Sequence, residues 1–179
     1  MKLEFIKIDP NAELPRKAHA DDACFDITAL WYEKKEFTVV CHTGLRVNVP
    51  RGYELQVRSR SGMASNGVFV VNSPGCVDSG YTGEVMVILG SITGQSPYLP
   101  SNKWSCKVAN LELYSGSRVA QVCLVPVTPV EVVEGFDVVE SDRGESGIGS
   151  TGILESLDEI DSILNEDSQY TTKDSGVGS

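Results

Sequence analysis

Asp78 and Tyr81 stand three residues apart in Asn72-Ser-Pro-Gly-Cys-Val-Asp-Ser-Gly-Tyr-Thr-Gly-Glu84, a stretch dense in Gly and Pro. Such a turn lets backbone approach a ligand closely. Its carboxylate can align and deprotonate a water, and its ring can pack on a sugar or a base. Taken alone, Tyr81 reads equally as a half-buried strand residue, so the weight of this turn depends on what accompanies it.

Four further segments carry groups that a phosphorylated ligand needs. Ala23-Cys-Phe-Asp26-Ile sets one Asp between apolar neighbours. It reads either as a strand-end Asp bonding backbone, or as an oxygen ligand for Mg2+ acting through water, because that ion keeps its waters and uses few protein carboxylates. Arg58-Ser-Arg60-Ser61-Gly62 puts guanidinium, hydroxyl and exposed N–H groups in a row, which suits phosphate oxygens. A plain polar turn is the other reading. In Gly116-Ser-Arg-Val-Ala-Gln121 the Gln can donate to a phosphate from a strand start, or face water from an edge. Arg143-Gly-Glu-Ser-Gly-Ile148-Gly149-Ser150-Thr151-Gly152 is a Gly-rich arm whose Arg, Ser and Thr can bond a triphosphate as it closes, or else a linker. Jointly the five describe hydrolysis of a nucleotide.

The elements that position these groups read as strands. Candidates are residues 3–7, 37–40, 45–49, 53–57, 68–71, 85–89, 119–125 and 131–133, punctuated by Gly and Pro. Many short strands, no βαβ alternation and no long helical period predict an all-β sandwich or barrel. Residues 1–136 form that domain, with 91–115 as a surface loop or extra hairpin, and residues 137–152 form a mobile Gly/Ser-rich arm. Within the extension 153–179, Ile153, Leu154, Leu157, Ile160, Ile163 and Leu164 recur at helical spacing, which predicts a helix near 153–165 followed by disorder.

Composition narrows the function classes. The 179 residues suit one domain with an appendage, and the net charge of -10 argues against nucleic-acid backbones as a ligand. A small polyanion must then be held by a few aimed arginines. No apolar run approaches the roughly 18 residues a membrane span needs, and the N-terminal residues lack a signal-peptide pattern. Five cysteines without a C-x-x-C pair suggest neither zinc nor a disulfide framework, so a reducing cytoplasmic (or nuclear) setting is expected.

The five segments, in this order from Asp22 to Gly152, closely resemble the motifs of the homotrimeric dUTPases (deoxyuridine triphosphatases), and Thr43-Gly-Leu-Arg-Val-Asn-Val-Pro-Arg-Gly-Tyr53 matches their pattern too. The resemblance implies a distorted jelly roll, a homotrimer with three sites shared between subunits, and Mg2+ bound to the triphosphate. It implies hydrolysis of dUTP to dUMP and pyrophosphate by water attack on the α-phosphorus, which keeps uracil out of DNA and supplies dUMP for thymidylate synthesis. Asp78 would orient the water. Tyr81 would pack on the deoxyribose and leave no room for a 2′-OH. Asn72, Gly75 and Val77 would hydrogen-bond uracil, and Asp26 would hold a metal-bound water. Arg60, Ser61, Gly62 and Gln121 would cradle phosphates, while Arg143, Ile148, Gly149, Ser150 and Thr151 would close over the ligand.

Three departures accompany the match. Ile148 replaces an aromatic ring and Ser146 a Gly in the arm, and Cys24 occupies a common Gly position. Ile covers a base without stacking, so arm closure should be weaker by about 0.5–1.5 kcal/mol. About a dozen residues are inserted between the third and fourth motifs, and the acidic tail follows the fifth; either is a candidate surface for a protein partner. A dCTP deaminase, which shares the jelly roll, is an alternative reading, as is a dCTP pyrophosphatase, since the base is read largely by backbone. So is a nucleotide-responsive regulatory protein, although the Asp78 carboxylate favours catalysis.

Overall fold

The computed structural model describes residues 1–100, 102–142 and 144–145. The expected arm residues Arg143, Ile148, Gly149, Ser150 and Thr151, and the expected helix 153–165, lie outside the described residues. The chain divides into two compact units, Met1–Glu131 and Val132–Ser179.

The regular structure of the first unit is almost wholly strand. In chain order they are β1 (Glu4–Lys7), β2 (Phe25–Thr28), β3 (Trp31–Lys34), β4 (Val39–His42), β5 (Leu45–Asn48) and β6 (Tyr53–Arg58). A short helical turn, α1 (Ser61–Ala64), precedes β7 (Val68–Val70), β8 (Gly75–Val77) and β9 (Met86–Ser91). Then come β10 (Ser105–Val108), β11 (Leu111–Tyr114) and β12 (Arg118–Pro126). One four-stranded sheet has the order β2-β12-β6-β8 and a second β3-β4-β9-β7, with β1-β5 and β10-β11 as separate pairs. All of these pairings are antiparallel.

Alternation in the sequence explains the sandwich. In β5, Leu45 and Val47 are buried while Arg46 and Asn48 are exposed, the period of two that a half-buried strand requires. Ile27, Leu55, Val57 and Val122 of the first sheet share one core with Tyr32, Val39, Val87 and Leu89 of the second. Each such side chain contributes about 1.5–3 kcal/mol on full burial. Tyr32, only 1% exposed, satisfies its hydroxyl by donating to the Tyr114 carbonyl at 2.8 Å. Gly44, between β4 and β5, has φ +69°, and a Cβ there would lie 2.9 Å from Ala12 Cβ. Both facts demand glycine.

Of the two readings of 91–115, the hairpin is the one observed: β10 and β11 pair, and their Cys106, Val108 and Leu113 join the core. One expectation changes. Residues 131–133 form no strand, because valines can enter a ladder only where a neighbouring strand offers unpaired N–H and C=O groups. Val132 is instead 93% exposed.

Candidate active site

Two separate cavities of the first unit collect the residues that the sequence singles out. The first, of about 360 Å3, is lined by Asp26, Arg60, Ser61, Gly62, Arg118 and Gln121 among others. Strand order explains the gathering. β12 lies between β2 and β6, so that Gln121 stands opposite Asp26 on one side and Arg58 on the other. Arg60, Ser61 and Gly62 follow directly where β6 turns into α1.

Asp26 is the pivot of this cavity. Its Oδ1 accepts from Arg60 Nε at 2.7 Å, while Oδ2 accepts from Arg60 Nη2 at 3.3 Å and Arg118 Nη1 at 3.2 Å. Arg60 Nη1 also donates to the Arg118 carbonyl at 3.1 Å. Two guanidinium groups thus meet one carboxylate, and the surplus positive charge faces a cavity also lined by Arg16. The Asp26 and Arg60 side chains are 20% and 24% exposed, so solvent screens this charge only in part. Gln121 Nε2 donates to the Ser59 carbonyl at 2.8 Å, which ties β12 to the Arg-bearing turn and leaves the second amide N–H for a ligand.

The second cavity, of about 170 Å3, is lined by Asn72, Gly75, Val77, Asp78, Tyr81 and Glu84 with their neighbours. β8 carries Gly75 and Val77, and Asp78 follows at its end. Tyr81 N–H donates to the Asp78 carbonyl at 3.1 Å, closing the turn, and its ring is 42% exposed. Gly75 must lack a Cβ, since one would lie 2.9 Å from Asn72 Nδ2. The spacing read from sequence therefore does bring Asn72, Asp78 and Tyr81 together. It does not bring them to Asp26: β2 and β8 are opposite edges of one sheet, three strand spacings or about 14 Å apart.

Several participants escape sequence reasoning. Arg118 pairs in register with Thr28, and a bulge between Arg118 and Ala120 turns it onto Asp26. No pattern in the sequence announces a bulge. The nearby thiols are quiet. Burial, then the neighbouring Cys123, pushes the Cys24 thiol up. A hydrogen bond to Glu54, then slight burial, does the same for Cys76.

Among the described residues no three His, Cys, Asp or Glu side chains converge as a metal site. Of the four lone-pair positions of the Asp26 carboxylate, the arginines take three, which leaves room for one bound water. Such a donor set fits a magnesium ion held mainly by a ligand's own phosphates.

An antiparallel sandwich with an arginine-rich cradle and a separate Asp–Tyr turn defines a class of all-β proteins equipped for a nucleoside polyphosphate. Within that class, the chain belongs to the dUTPase family of enzymes, whose family profile matches residues 10–152. The deoxyuridine 5′-triphosphate nucleotidohydrolase of Hydrogenobaculum sp. is 39% identical over 161 residues, covering 86% of this chain and 99% of that one. The protein of the same name from Gloeothece citriformis is 36% identical over 158 residues, covering 86% and 98%. Among solved structures, the Staphylococcus bacteriophage 80alpha dUTPase with dUpNHpp superposes with a TM-score of 0.65 at 27% identity, covering 85% of this chain and 99% of that one. The dUTPase of S. aureus phage phi11, at 21% identity and a TM-score of 0.60, shares the fold.

Proposed function

We propose that this chain hydrolyses dUTP to dUMP and pyrophosphate in a magnesium-dependent reaction, at sites shared between the subunits of a homotrimer. The observation that carries this reading is the Asp78–Tyr81 turn, which sets a carboxylate and an exposed ring around one small cavity with Asn72. Asp78 takes a proton from the attacking water and aims it at the α-phosphorus. Tyr81 excludes a 2′-hydroxyl by its bulk. A cavity of about 170 Å3 with Asn72 and strand backbone at its wall suits a small pyrimidine read along one edge.

Arg60, Arg118 and one Gln121 N–H hold the leaving pyrophosphate and oppose the charge it gains. Bound magnesium would neutralise part of the phosphate charge, with Asp26 on one of its waters. The Asp26 carboxylate also keeps Arg60 preorganised, so little reorganisation is needed at the moment of reaction.

Assembly follows from separation. The cradle and the Asp–Tyr turn line different cavities of one subunit, so a second copy must bring its turn to the first copy's cradle. A feature consistent with assembly is the strongly exposed apolar run Val132, Val133, Phe136, Val138 and Val139 of the second unit. Five unpaired thiols accord with a reducing compartment.

Pyrophosphate release from each common nucleoside triphosphate, with magnesium and with chelator, tests the reading. Release from dUTP alone is expected, with Asp78→Asn slower by about 100- to 10,000-fold. Equal turnover of dCTP, or an Asp78→Asn variant as active as the parent, would overturn it.

A further inference from the structure

We propose that His42 and Glu84 are positioning residues that set sugar specificity by holding the Tyr81 ring in place. The inference rests on the dUTP reading above and deepens it. Two contacts define where the ring sits. Tyr81 Oη donates to the Glu84 carbonyl at 3.0 Å. On the way it crosses residue 83, where a Cβ would lie 2.4 Å from Oη and 2.6 Å from Cζ, so that glycine alone leaves room. The ring is therefore located by the peptide of Glu84, six residues beyond Asp78.

That peptide lies before β9, which starts at Met86, and is anchored by its own side chain. Glu84 Oε1 accepts from the Gly44 N–H at 2.8 Å, and Oε2 lies 2.9 Å from His42 Nδ1. An ionised carboxylate only accepts, so the imidazole must carry a proton on Nδ1 and donate it to this bond. His42 in turn cannot swing. Its ring stacks on Trp31 with centroids 3.5 Å apart and planes 6° from parallel, and Lys103 Nζ sits 4.5 Å over the same Trp31 ring. His42 Nε2 is buried without a hydrogen-bond partner, 3.5 Å from Glu33 Oε2. The tie thus runs from the β3–β4 pair through His42 and Glu84 to the aromatic ring beside the sugar.

The Glu84 carbonyl shares one planar peptide with the Val85 N–H, which donates to the Leu45 carbonyl at 2.8 Å, while the Val85 carbonyl accepts from Thr43 Oγ1 at 2.6 Å. The peptide thus has two holds, the Leu45 bond and the Glu84 side chain. Losing the His42 bond should leave the Leu45 bond and the strand start in place but slacken the second hold, so that the peptide can tilt about the first. A tilted peptide moves its carbonyl, and the Tyr81 hydroxyl with it, opening space at the sugar's 2′ position. A loss of fold would depress every substrate alike; this loosening should favour the ribonucleotide.

The test compares kcat/KM for dUTP and UTP in the full-length protein and in His42→Ala, His42→Asn and His42→Gln, with thermal midpoints recorded alongside. Asn places its amide N–H near the Nδ1 position and Gln near Nε2, so only Asn can replace the bond to Glu84. The dUTP-over-UTP preference should fall about tenfold in His42→Ala and His42→Gln. It should stay within about twofold of the parent in His42→Asn. For dUTP the loss should sit in KM more than in kcat, because the ring contacts the sugar in ground and transition states alike. Gly83→Ala, which displaces the ring without touching His42, should lower the preference in the same direction. An unchanged preference in His42→Ala, an equal loss on both nucleotides, or an Asn variant no better than Gln would overturn the proposal. A parent protein inactive on dUTP would overturn the functional reading and this inference with it; an active parent with unaltered His42 variants overturns this inference alone.

Discussion

Asp26 shows how one carboxylate can orient two guanidinium groups at once. Read from sequence, it had two uses, backbone partner or metal-water ligand, and both referred to Asp26 alone. The structure adds a third: it accepts from Arg60 and Arg118, and so determines where two positive charges point. Asp26→Asn should therefore act through its neighbours. Asn keeps one acceptor oxygen but turns an NH2 toward a guanidinium, so we expect KM for dUTP to rise about tenfold and stability to fall by about 1–2 kcal/mol, allowing for partial solvent exposure. Steady-state kinetics with a denaturant melt checks both. An Asn variant with parental KM would mean that Arg60 is held by its other bond, to the Arg118 carbonyl. Residue type and spacing made Asp78, Tyr81, Asn72 and Arg60 legible, because the groups needed lie within a few positions of one another. Arg118, His42 and Glu84 were not, since their partners lie between 40 and 92 residues away along the chain.

At the scale of elements, glycine and the strand ladder do most of the positioning. The turn from β4 to β5 puts Gly44 at φ +69°, with its N–H on Glu84 and a Cβ excluded by Ala12 and Leu30. Gly44→Ala should cost about 2–4 kcal/mol, from the unfavourable φ and from overpacking together. A thermal melt shifted by less than a few degrees would count against this assignment. Strands with clear alternation, such as β5, β6 and β12, could be read from sequence to within a residue or two. β3 could not: Trp31-Tyr-Glu-Lys34 carries its buried Tyr32 between half-buried and charged neighbours. β8 is three residues inside a Gly/Pro stretch that signals a turn. The β10–β11 hairpin turns through Ala109 at φ 51°, without the glycine that usually marks such a bend.

For the whole molecule, the core contains groups that must stay neutral. Burial pushes the Tyr32 hydroxyl far above its ordinary 10.0, the Cys41 thiol well above 9.0, and the Cys106 thiol up to about 12. Each folded-state value is raised, so the stability these groups contribute is complete below about pH 9 and drains away as pH climbs, the unfolded chain losing its protons first. The thermal midpoint should accordingly hold between pH 7 and about 8.5, then fall steeply beyond about 10. Tyr32→Phe gives up one hydrogen bond, about 1 kcal/mol at neutral pH, yet its decline above pH 10 should be shallower than the parent's. Parallel declines would show that Tyr32 takes no part in the alkaline loss.

The proposed assembly also belongs to this scale, since the cradle and the Asp–Tyr turn of one copy line separate cavities. The central claim joins them: a turn built on Asp78 sends water to the phosphorus nearest the sugar while an arginine cradle holds the departing pyrophosphate. Hydrolysis of dUTP in 18O-enriched water, followed by mass analysis of the products, tests that claim most directly. The heavy oxygen should appear in dUMP and be absent from pyrophosphate. Label in the pyrophosphate, or products other than these two, would contradict it.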